Sequence, residues 1–160
     1  ADGQVGEFTV RSPSLTTGYW RQPEKTAQVL RDGWYATGDA GYRGADGLLY
    51  IVDRVKDMIV TGGENVYSAE VEQVLIKHPA VSQCAVIGLP DEKWGEAVTA
   101  VVVSVDGEPT SAEALIAHCR EFIAGYKAPK SVHFVDALPL TGSGKVQKAL
   151  LRDNWVQSNG

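Results

Sequence analysis

The apolar pattern of the chain changes at Asp53, and this change limits the available folds more than any other feature of the sequence. Before that position the sequence predicts short strands and turns, with one short helix over Pro23–Leu30. After it, strand-length and helix-length apolar segments alternate, as they do in α+β domains. The first part also has few apolar residues for a core of its own. We therefore predict two regions, with the boundary at Asp53–Lys56.

In the first region, strands are predicted over Glu7–Arg11, Trp34–Thr37, Ala40–Arg43 and Leu48–Val52. The last two are expected to form a hairpin, because Ala45-Asp46-Gly47 between them has the composition of a turn. Gly38-Asp39 is, taken alone, most typical of a hairpin turn as well. An aspartate on a rigid turn can also accept hydrogen bonds from a vicinal diol such as ribose.

The second region predicts a mixed sheet with flanking helices. Its predicted strands are Met58–Thr61, Val81–Gly88, Thr99–Val105 and Ser131–Val135, and its predicted helices are Ser68–His78, Thr110–Gly125 and Val146–Trp155. Ser68 and Thr110 are the predicted N-caps, and Gly125 is the predicted C-cap. The fold class is therefore predicted to be α+β.

Composition excludes several classes of protein. With 44% apolar and 22% charged residues, the chain has the profile of a globular protein and not of a disordered one. A formal net charge of −5 without a large basic patch argues against a nucleic-acid partner. The sequence has no run of about 18 apolar residues, so no transmembrane segment is predicted. Two cysteines do not make a disulfide scaffold, and the three dispersed histidines have no metal-ligand spacing, so no metal site is predicted.

The loop that ends in Gly144-Lys145 has glycines beside a lysine, as phosphate-binding loops do. It is not a P-loop, because Pro139 stands where the first glycine is required. Val146 also replaces the hydroxyl residue that binds magnesium. Lys145 is therefore expected to be a single cation on a flexible loop.

Several stretches together resemble one family, the adenylate-forming, AMP-producing acyl-CoA synthetases, whose superfamily includes firefly luciferase and nonribosomal peptide adenylation domains. The stretches are Gly18–Trp20, Asp32–Asp39, Asp53–Glu72, Val86–Glu96 and Tyr126–Lys130. The resemblance implies that residues 1–52 are the C-terminal β-rich segment of a large N-terminal adenylation domain. Residues 53–57 would be a hinge, and residues 58–160 a small, mobile C-terminal α+β cap domain.

The resemblance also implies roles for four charged residues. Asp39 would bind the ribose hydroxyls of ATP and AMP, and Arg54 would reach the ribose or the phosphates. Lys56 would be the hinge residue about which the cap rotates. Lys145 would be the catalytic lysine of adenylation, because one ammonium lowers the repulsion between a carboxylate and an α-phosphate.

A site for coenzyme A (CoA) is implied on the cap. Gly62 and Gly63 lack side chains and would leave room for the pantetheine arm, while Trp94 would flank it. Tyr126 and Lys130 match positions that contact the CoA nucleotide in some relatives. Ala128 departs from that pattern, because some of those relatives carry an arginine there.

The function implied by the resemblance is that of an ATP-dependent acyl-CoA ligase. Such an enzyme activates a carboxylic acid, here predicted to be a fatty acid, as acyl-AMP at the expense of Mg-ATP and then transfers the acyl group to CoA. ATP with Mg²⁺ and CoA would be substrates, and no tightly bound cofactor is predicted. The sequence lacks the family's phosphate loop and acid chamber, so the chain is predicted to be inactive without the missing N-terminal domain.

Two alternative functions stay open at the level of the sequence. One is an adenylation domain that loads the phosphopantetheine of a carrier protein, and the other is a noncatalytic binding module that keeps the shape of the cap. The predicted location is the cytoplasm, with peripheral attachment of the full-length protein to a membrane left open.

Overall fold

The computed structural model describes the backbone of residues 3–159 and the side chains of residues 3–156. The chain divides into two compact units, Ala1–Lys56 and Asp57–Gly160. Within the described part, none of the helices has both the length and the apolar character that a membrane span needs. Strands dominate the first unit, while the second combines a sheet with helices, which confirms the predicted α+β class.

The first unit is a four-stranded antiparallel sheet with one short helix. Its elements in chain order are β1 (Gly6–Val10), α1 (Pro23–Val29), β2 (Leu30–Arg31), β3 (Trp34–Arg43) and β4 (Leu49–Arg54). Strand β3 is the centre of this sheet, because it pairs with β1, β2 and β4. The predicted hairpin is confirmed as β3 and β4.

The expected turn at Gly38-Asp39 is wrong, because β3 continues through both residues. The pairing of β1 with β3 shifts register between Glu7 and Thr9, so β3 has extra residues at this point. Gly38 absorbs the irregularity with a φ of +73°, which a residue with a side chain rarely adopts. The pair therefore forms a β-bulge, a device that redirects side chains without ending the strand.

Gly41, next to this bulge, lies too close to its neighbours for a side chain. A Cβ there would overlap the carbonyl oxygen of Tyr50 and the ring of Phe8. Because backbone cannot move aside cheaply, we expect Gly41→Ala to lower the free energy of unfolding by about 2 kcal/mol. Gly6→Ala in β1 is the control, since a Cβ there meets nothing within 4 Å. Urea unfolding of both variants, followed by tryptophan fluorescence, measures the effect. Equal midpoints would contradict the close approach of Gly41 to Tyr50 and Phe8.

The second unit contains a five-stranded sheet and three helices. Its elements are β5 (Ile59–Thr61), β6 (Glu64–Val66), α2 (Ser68–Leu75), β7 (Val81–Asp91), β8 (Gly95–Ser104), α3 (Ala112–Phe122), β9 (Ser131–Phe134) and α4 (Lys148–Asn159). The strand order is β6-β5-β8-β7, and β9 pairs with β8. That last pairing is parallel whereas the others are antiparallel, which confirms a mixed sheet.

Both faces of this sheet are covered by apolar side chains. On one face the sheet and helices α2 and α3 bury a cluster that includes Val71, Leu75, Leu115 and Cys119. On the other face a smaller cluster around Ile87 packs against α4. Because both faces are covered, β7 and β8 are apolar along most of their length and do not alternate.

The predicted caps of helices α2 and α3 are wrong. Tyr67, not Ser68, is the N-cap of α2. In α3 the N-cap is Ser111, one residue after the predicted Thr110, and its hydroxyl accepts a hydrogen bond from the Ala114 N–H at 3.2 Å. Thr110 and Ser111 are both good N-cap residues, so the sequence does not distinguish them as the cap of α3.

The predicted ends of α3 and α4 also change. Helix α3 stops at Phe122 with Ile123 as its C-cap, before the predicted Gly125. Helix α4 starts at Lys148 and not at Val146, because Val146 pairs with Leu140 in an isolated β-bridge.

Candidate functional site

Asp39 and Arg54 form an ion pair on the sheet of the first unit. They are direct partners in the pairing of β3 with β4, and Nη1 of Arg54 lies 3.0 Å from Oδ1 of Asp39. The Thr37 hydroxyl accepts a hydrogen bond from the Asp39 N–H at 3.1 Å and donates one to the Phe8 carbonyl at 2.8 Å. The bulge therefore holds the backbone of Asp39 while its carboxylate stays accessible at the strand surface.

Lys56 is exposed in a short 3-10 turn, Val55–Asp57, that follows β4. The sequence predicts an exposed charged joint here, and the structure agrees for Lys56 but not for Asp57. The Asp57 residue is only 8% exposed, and its Oδ1 lies 3.3 Å from Nη2 of Arg152. The joint therefore ends on an ion pair between a buried aspartate and a partly exposed arginine.

Gly62 and Gly63 form the two-residue turn of a hairpin between β5 and β6, a strand that the sequence does not predict. Their φ angles are +59° and +83°, the left-handed values that such a turn requires at both positions. The Gly62 N–H donates to the Trp94 carbonyl at 2.8 Å. A Cβ on Gly62 would lie 3.1 Å from the Trp94 ring, whereas Gly63 faces open space.

Two lysines flank the Trp94 ring. The ammonium of Lys93 lies 4.8 Å from a ring centroid of Trp94 and that of Lys130 lies 5.2 Å from it. We call Gly62, Lys93, Trp94 and Lys130 the Trp94 surface. An aromatic ring beside a bare turn suits a thin chain, and two ammonium groups suit phosphate. Sequence reasoning missed Lys93, although its position next to Trp94 was a signal.

Tyr126 and Ala128 contribute less to the Trp94 surface than the sequence suggests. Tyr126 is exposed, and its ring centroid lies 5.9 Å from the Lys127 ammonium, which is not part of the Trp94 surface. Lys127 itself is paired with the Glu70 carboxylate at 2.7 Å. Ala128 is fully buried in the core, so this position contributes no cation to the surface.

Lys145 ends a turn that is closed by hydrogen bonds, which corrects the expectation of a flexible loop. The Thr141 N–H donates to the Lys145 carbonyl at 2.8 Å, and the Gly144 N–H donates to the Thr141 carbonyl at 2.9 Å. The Thr141 hydroxyl also accepts from the Lys145 N–H at 3.1 Å. Within the described residues the Lys145 ammonium is exposed and makes no hydrogen bond or ion pair.

Other reactive side chains do not form a competing site among the described residues. No group of three or more His, Cys, Asp or Glu is placed to hold a metal ion there. The rings of His78 and His118, which the sequence treats as dispersed, lie 5.1 Å apart. Burial raises the pKa of Cys84 to about 12 and that of Cys119 to about 11. Both thiols are therefore protonated at neutral pH and are poor nucleophiles.

Comparison with known proteins identifies a family model and several relatives that this chain resembles. Residues 70–145 match the family model of the AMP-binding enzyme C-terminal domain. The chain is 53% identical to feruloyl-CoA synthase from an Amycolatopsis species, over 94% of this chain and 30% of that protein. It is 50% identical to a medium/long-chain-fatty-acid–CoA ligase of Mycobacterium tuberculosis, over 99% of this chain and 29% of that protein. The chain thus spans under a third of the length of these relatives.

Solved structures also match nearly all of this chain and about a third of their own length. ATP-bound MatB from Rhodopseudomonas palustris matches 97% of this chain and 31% of its own, with a TM-score of 0.89 and 41% identity. The structure of apo MatB matches the same share of the chain with a TM-score of 0.68.

Proposed function

We propose that the protein to which this chain belongs is an ATP-dependent ligase that joins a carboxylic acid to CoA through an acyl-adenylate, because residues 70–145 match the family model of the AMP-binding enzyme C-terminal domain. One observation carries this proposal: the exposed, unpartnered Lys145 ammonium projects from a turn whose backbone is closed by hydrogen bonds. The two relatives named above are both acid–CoA ligases by name, which supports the same reaction class.

In the first half-reaction a carboxylate oxygen would attack the α-phosphorus of Mg-ATP. The bond from that phosphorus to the pyrophosphate oxygen breaks, and acyl-AMP and pyrophosphate result. Two anionic groups must approach each other, and negative charge builds on the phosphoryl oxygens. We assign Lys145 to this point, because a positioned ammonium stabilises that charge more in the transition state than in the ground state.

Asp39 and Arg54 would hold the nucleoside part of the same substrate. The Asp39 carboxylate can accept hydrogen bonds from ribose hydroxyls, as acidic residues do in dinucleotide sites. Arg54 is placed to orient that carboxylate through their 3.0 Å contact and to reach the ribose or a phosphate with its remaining N–H groups.

In the second half-reaction the CoA thiol would attack the acyl carbonyl carbon, and AMP would leave. We assign the Trp94 surface to the thiol substrate. The bare turn at Gly63 leaves space for the pantetheine arm, and Lys93 and Lys130 would attract the nucleotide phosphates. Tyr126 stays a proposed contact of the CoA nucleotide.

The two half-reactions use different parts of the second unit. Among the described residues, no hydrogen bond or ion pair joins the Lys145 turn, residues 141–145, to the Trp94 surface. We therefore propose that the C-terminal unit, residues 58–160, rotates about a hinge at residues 53–57 so that each surface is used in turn. Lys56 is the proposed pivot.

The proposed substrates are a carboxylic acid, Mg-ATP and CoA, and the proposed location is the cytoplasm. The name of one relative points to an aryl acid and that of the other to fatty acids. The relatives therefore support a carboxylic acid as substrate but do not distinguish these two classes. Our narrower proposal is a fatty acid. A carrier protein in place of CoA is the competing acceptor, and it is tested by offering each acceptor to preformed acyl-adenylate.

We expect Trp94→Ala to raise the KM for CoA about tenfold in the full-length protein, with the KM values for ATP and acid unchanged. The ring would supply stacking and hold two ammonium groups, which together are worth about 1–2 kcal/mol at a partly exposed site. Trp34→Ala, in the first unit, is the control. If Trp94→Ala raised all three KM values equally, the Trp94 surface would not be the CoA site.

Acid-dependent exchange of labelled pyrophosphate into ATP tests the proposed function directly. The full-length protein would be assayed with fatty and aryl acids, without CoA. We expect at least one acid to support exchange, and CoA then to convert the bound intermediate to thioester and AMP. If no acid supported exchange, the proposed function would be overturned.

A further inference from the structure

We propose that Lys148 is a positioning residue for Lys145, an inference that rests on the proposed function. Lys148 is the first residue of α4 and closely follows the Lys145 turn. Its side chain is 14% exposed, and a lysine that is mostly withdrawn from water usually has a partner for its charge. Its Nζ lies 2.7 Å from Oε1 of Glu72 and 2.6 Å from Oγ of Ser68, both in α2.

The partner of Lys148 is itself held by the sheet. Oε1 of Glu72 accepts a hydrogen bond from the Val86 N–H of β7 at 2.7 Å. The ammonium of Lys148 is thus tied to a helix and, through Glu72, to a core strand. Removing Lys148 would leave the partly buried Glu72 carboxylate without this ammonium partner, so the contact favours the observed placement of α4.

A second ion pair holds the same helix. Arg152 lies one turn after Lys148, on the same side of α4, and contacts the buried Asp57 at 3.3 Å. Leu151 and Trp155 of α4 pack against the apolar cluster on the sheet. Helix α4 therefore has charged anchors on one side and apolar contacts on another, and Lys148 is the anchor nearest the turn.

The connection between the anchor and Lys145 is short and paired throughout. Val146 forms a bridge with Leu140 across the base of the turn. The Gln147 N–H donates to the Pro139 carbonyl at 2.8 Å, and its side-chain amide donates to the Leu140 carbonyl at 2.7 Å. A displacement of Lys148 therefore moves the turn, because the chain between them has no flexible segment that could absorb it.

This anchoring matters because, in the described part of the chain, the Lys145 side chain makes no hydrogen bond or ion pair of its own. With no hydrogen bond to the Lys145 ammonium among the described residues, its position depends on where the turn places the Cα. A misplacement of about 1 Å can cost roughly a hundredfold in rate when a reacting geometry must be held. We infer that the Lys148 ion pair sets the reach of Lys145 into the adenylation site.

Lys148→Met in the full-length protein tests the proposal. We expect adenylation to slow by about tenfold or more, while thioester formation from preformed acyl-adenylate stays within about twofold. Glu72→Gln should give a loss of the same kind, and the double variant should lose no more than the worse single one, because all three break one contact. Lys148→Arg, which can still pair with Glu72, should recover most of the rate.

The matched control is Lys127→Met. It breaks the 2.7 Å ion pair with Glu70 in the same unit but does not involve α4, so adenylation should be unchanged. Equal slowing of both half-reactions by Lys148→Met would show a general structural defect and overturn the proposal. Equal slowing of adenylation by the Lys127 and Lys148 variants would do the same.

Amide hydrogen exchange of the full-length protein, followed by mass spectrometry with fragmentation that resolves single amides, tests the anchoring without any reaction. Lys148→Met should speed exchange at the Thr141 and Gly144 amides about tenfold, whereas the amides of β7 and the control variant should keep wild-type rates. Unchanged exchange at both turn amides would overturn the anchoring. A wild-type protein that adenylates no acid would overturn the proposed function instead, so the two failures are distinguishable.

Discussion

Lys145→Ala in the full-length protein should slow the formation of acyl-adenylate by roughly a hundredfold or more. The reason is electrostatic: an aimed contact to charge that develops in the transition state is typically worth about 3 kcal/mol. The Lys145 ammonium has no partner of its own within the described residues, so its removal leaves no buried charge unpaired. The loss should therefore appear in the rate and not in the folding stability.

Single-turnover kinetics separate the two half-reactions of this variant. Thioester formation from added acyl-adenylate should remain within about threefold of the wild-type rate, because Lys145 has no proposed role in that step. Lys77→Ala, which removes another exposed lysine of the same unit, should change neither rate. Equal slowing of both steps by Lys145→Ala would show that Lys145 does not have the role we assign to it.

Lys56→Pro should preserve one half-reaction and suppress most of the other. Proline fixes φ near −65° and also restricts Val55 before it, so the joint loses backbone states that a rotation needs. Lys56 lies in a 3-10 turn, whose φ values are compatible with proline, and the added restriction falls on Val55, the first residue of that turn. We expect the suppressed half-reaction to fall by more than about tenfold, because one orientation of the C-terminal unit is trapped.

Lys56→Ala separates the backbone effect from the loss of charge. It removes the same ammonium and leaves φ free, so both half-reactions should stay near normal. Modest and equal losses in both half-reactions of the proline variant would place the joint elsewhere or show that the protein needs no rotation.

The sequence predicted the fold where local patterns and tertiary packing agree. Strands β7 and β8 and helices α2 and α3 follow their apolar runs, because these runs form the buried core of the second unit. The prediction failed at Gly38-Asp39, because a glycine–aspartate pair is equally suited to a turn and to a bulge. Only the neighbouring strands β1 and β4 distinguish the two structures.

The site was predicted less completely than the fold. The family resemblance picked out Asp39, Arg54 and Lys145, but their roles are still predictions. No local pattern places Arg54 opposite Asp39, because that contact depends on strand register. The role of Ser68 was missed for a similar reason. Its hydroxyl contacts Lys148, which is 80 residues away in the sequence, and it does not cap the helix in which it lies.

Oxygen labelling of the acid tests the central claim most directly. The full-length protein would be given a substrate acid with ¹⁸O in its carboxylate, together with Mg-ATP and CoA, and the products would be analysed by mass spectrometry. If the carboxylate attacks the α-phosphorus and the thiol then breaks the acyl C–O bond, one labelled oxygen must leave with AMP. We predict AMP that carries one ¹⁸O and pyrophosphate that carries none. Label in inorganic phosphate, with ADP as the nucleotide product, would contradict an acyl-adenylate mechanism.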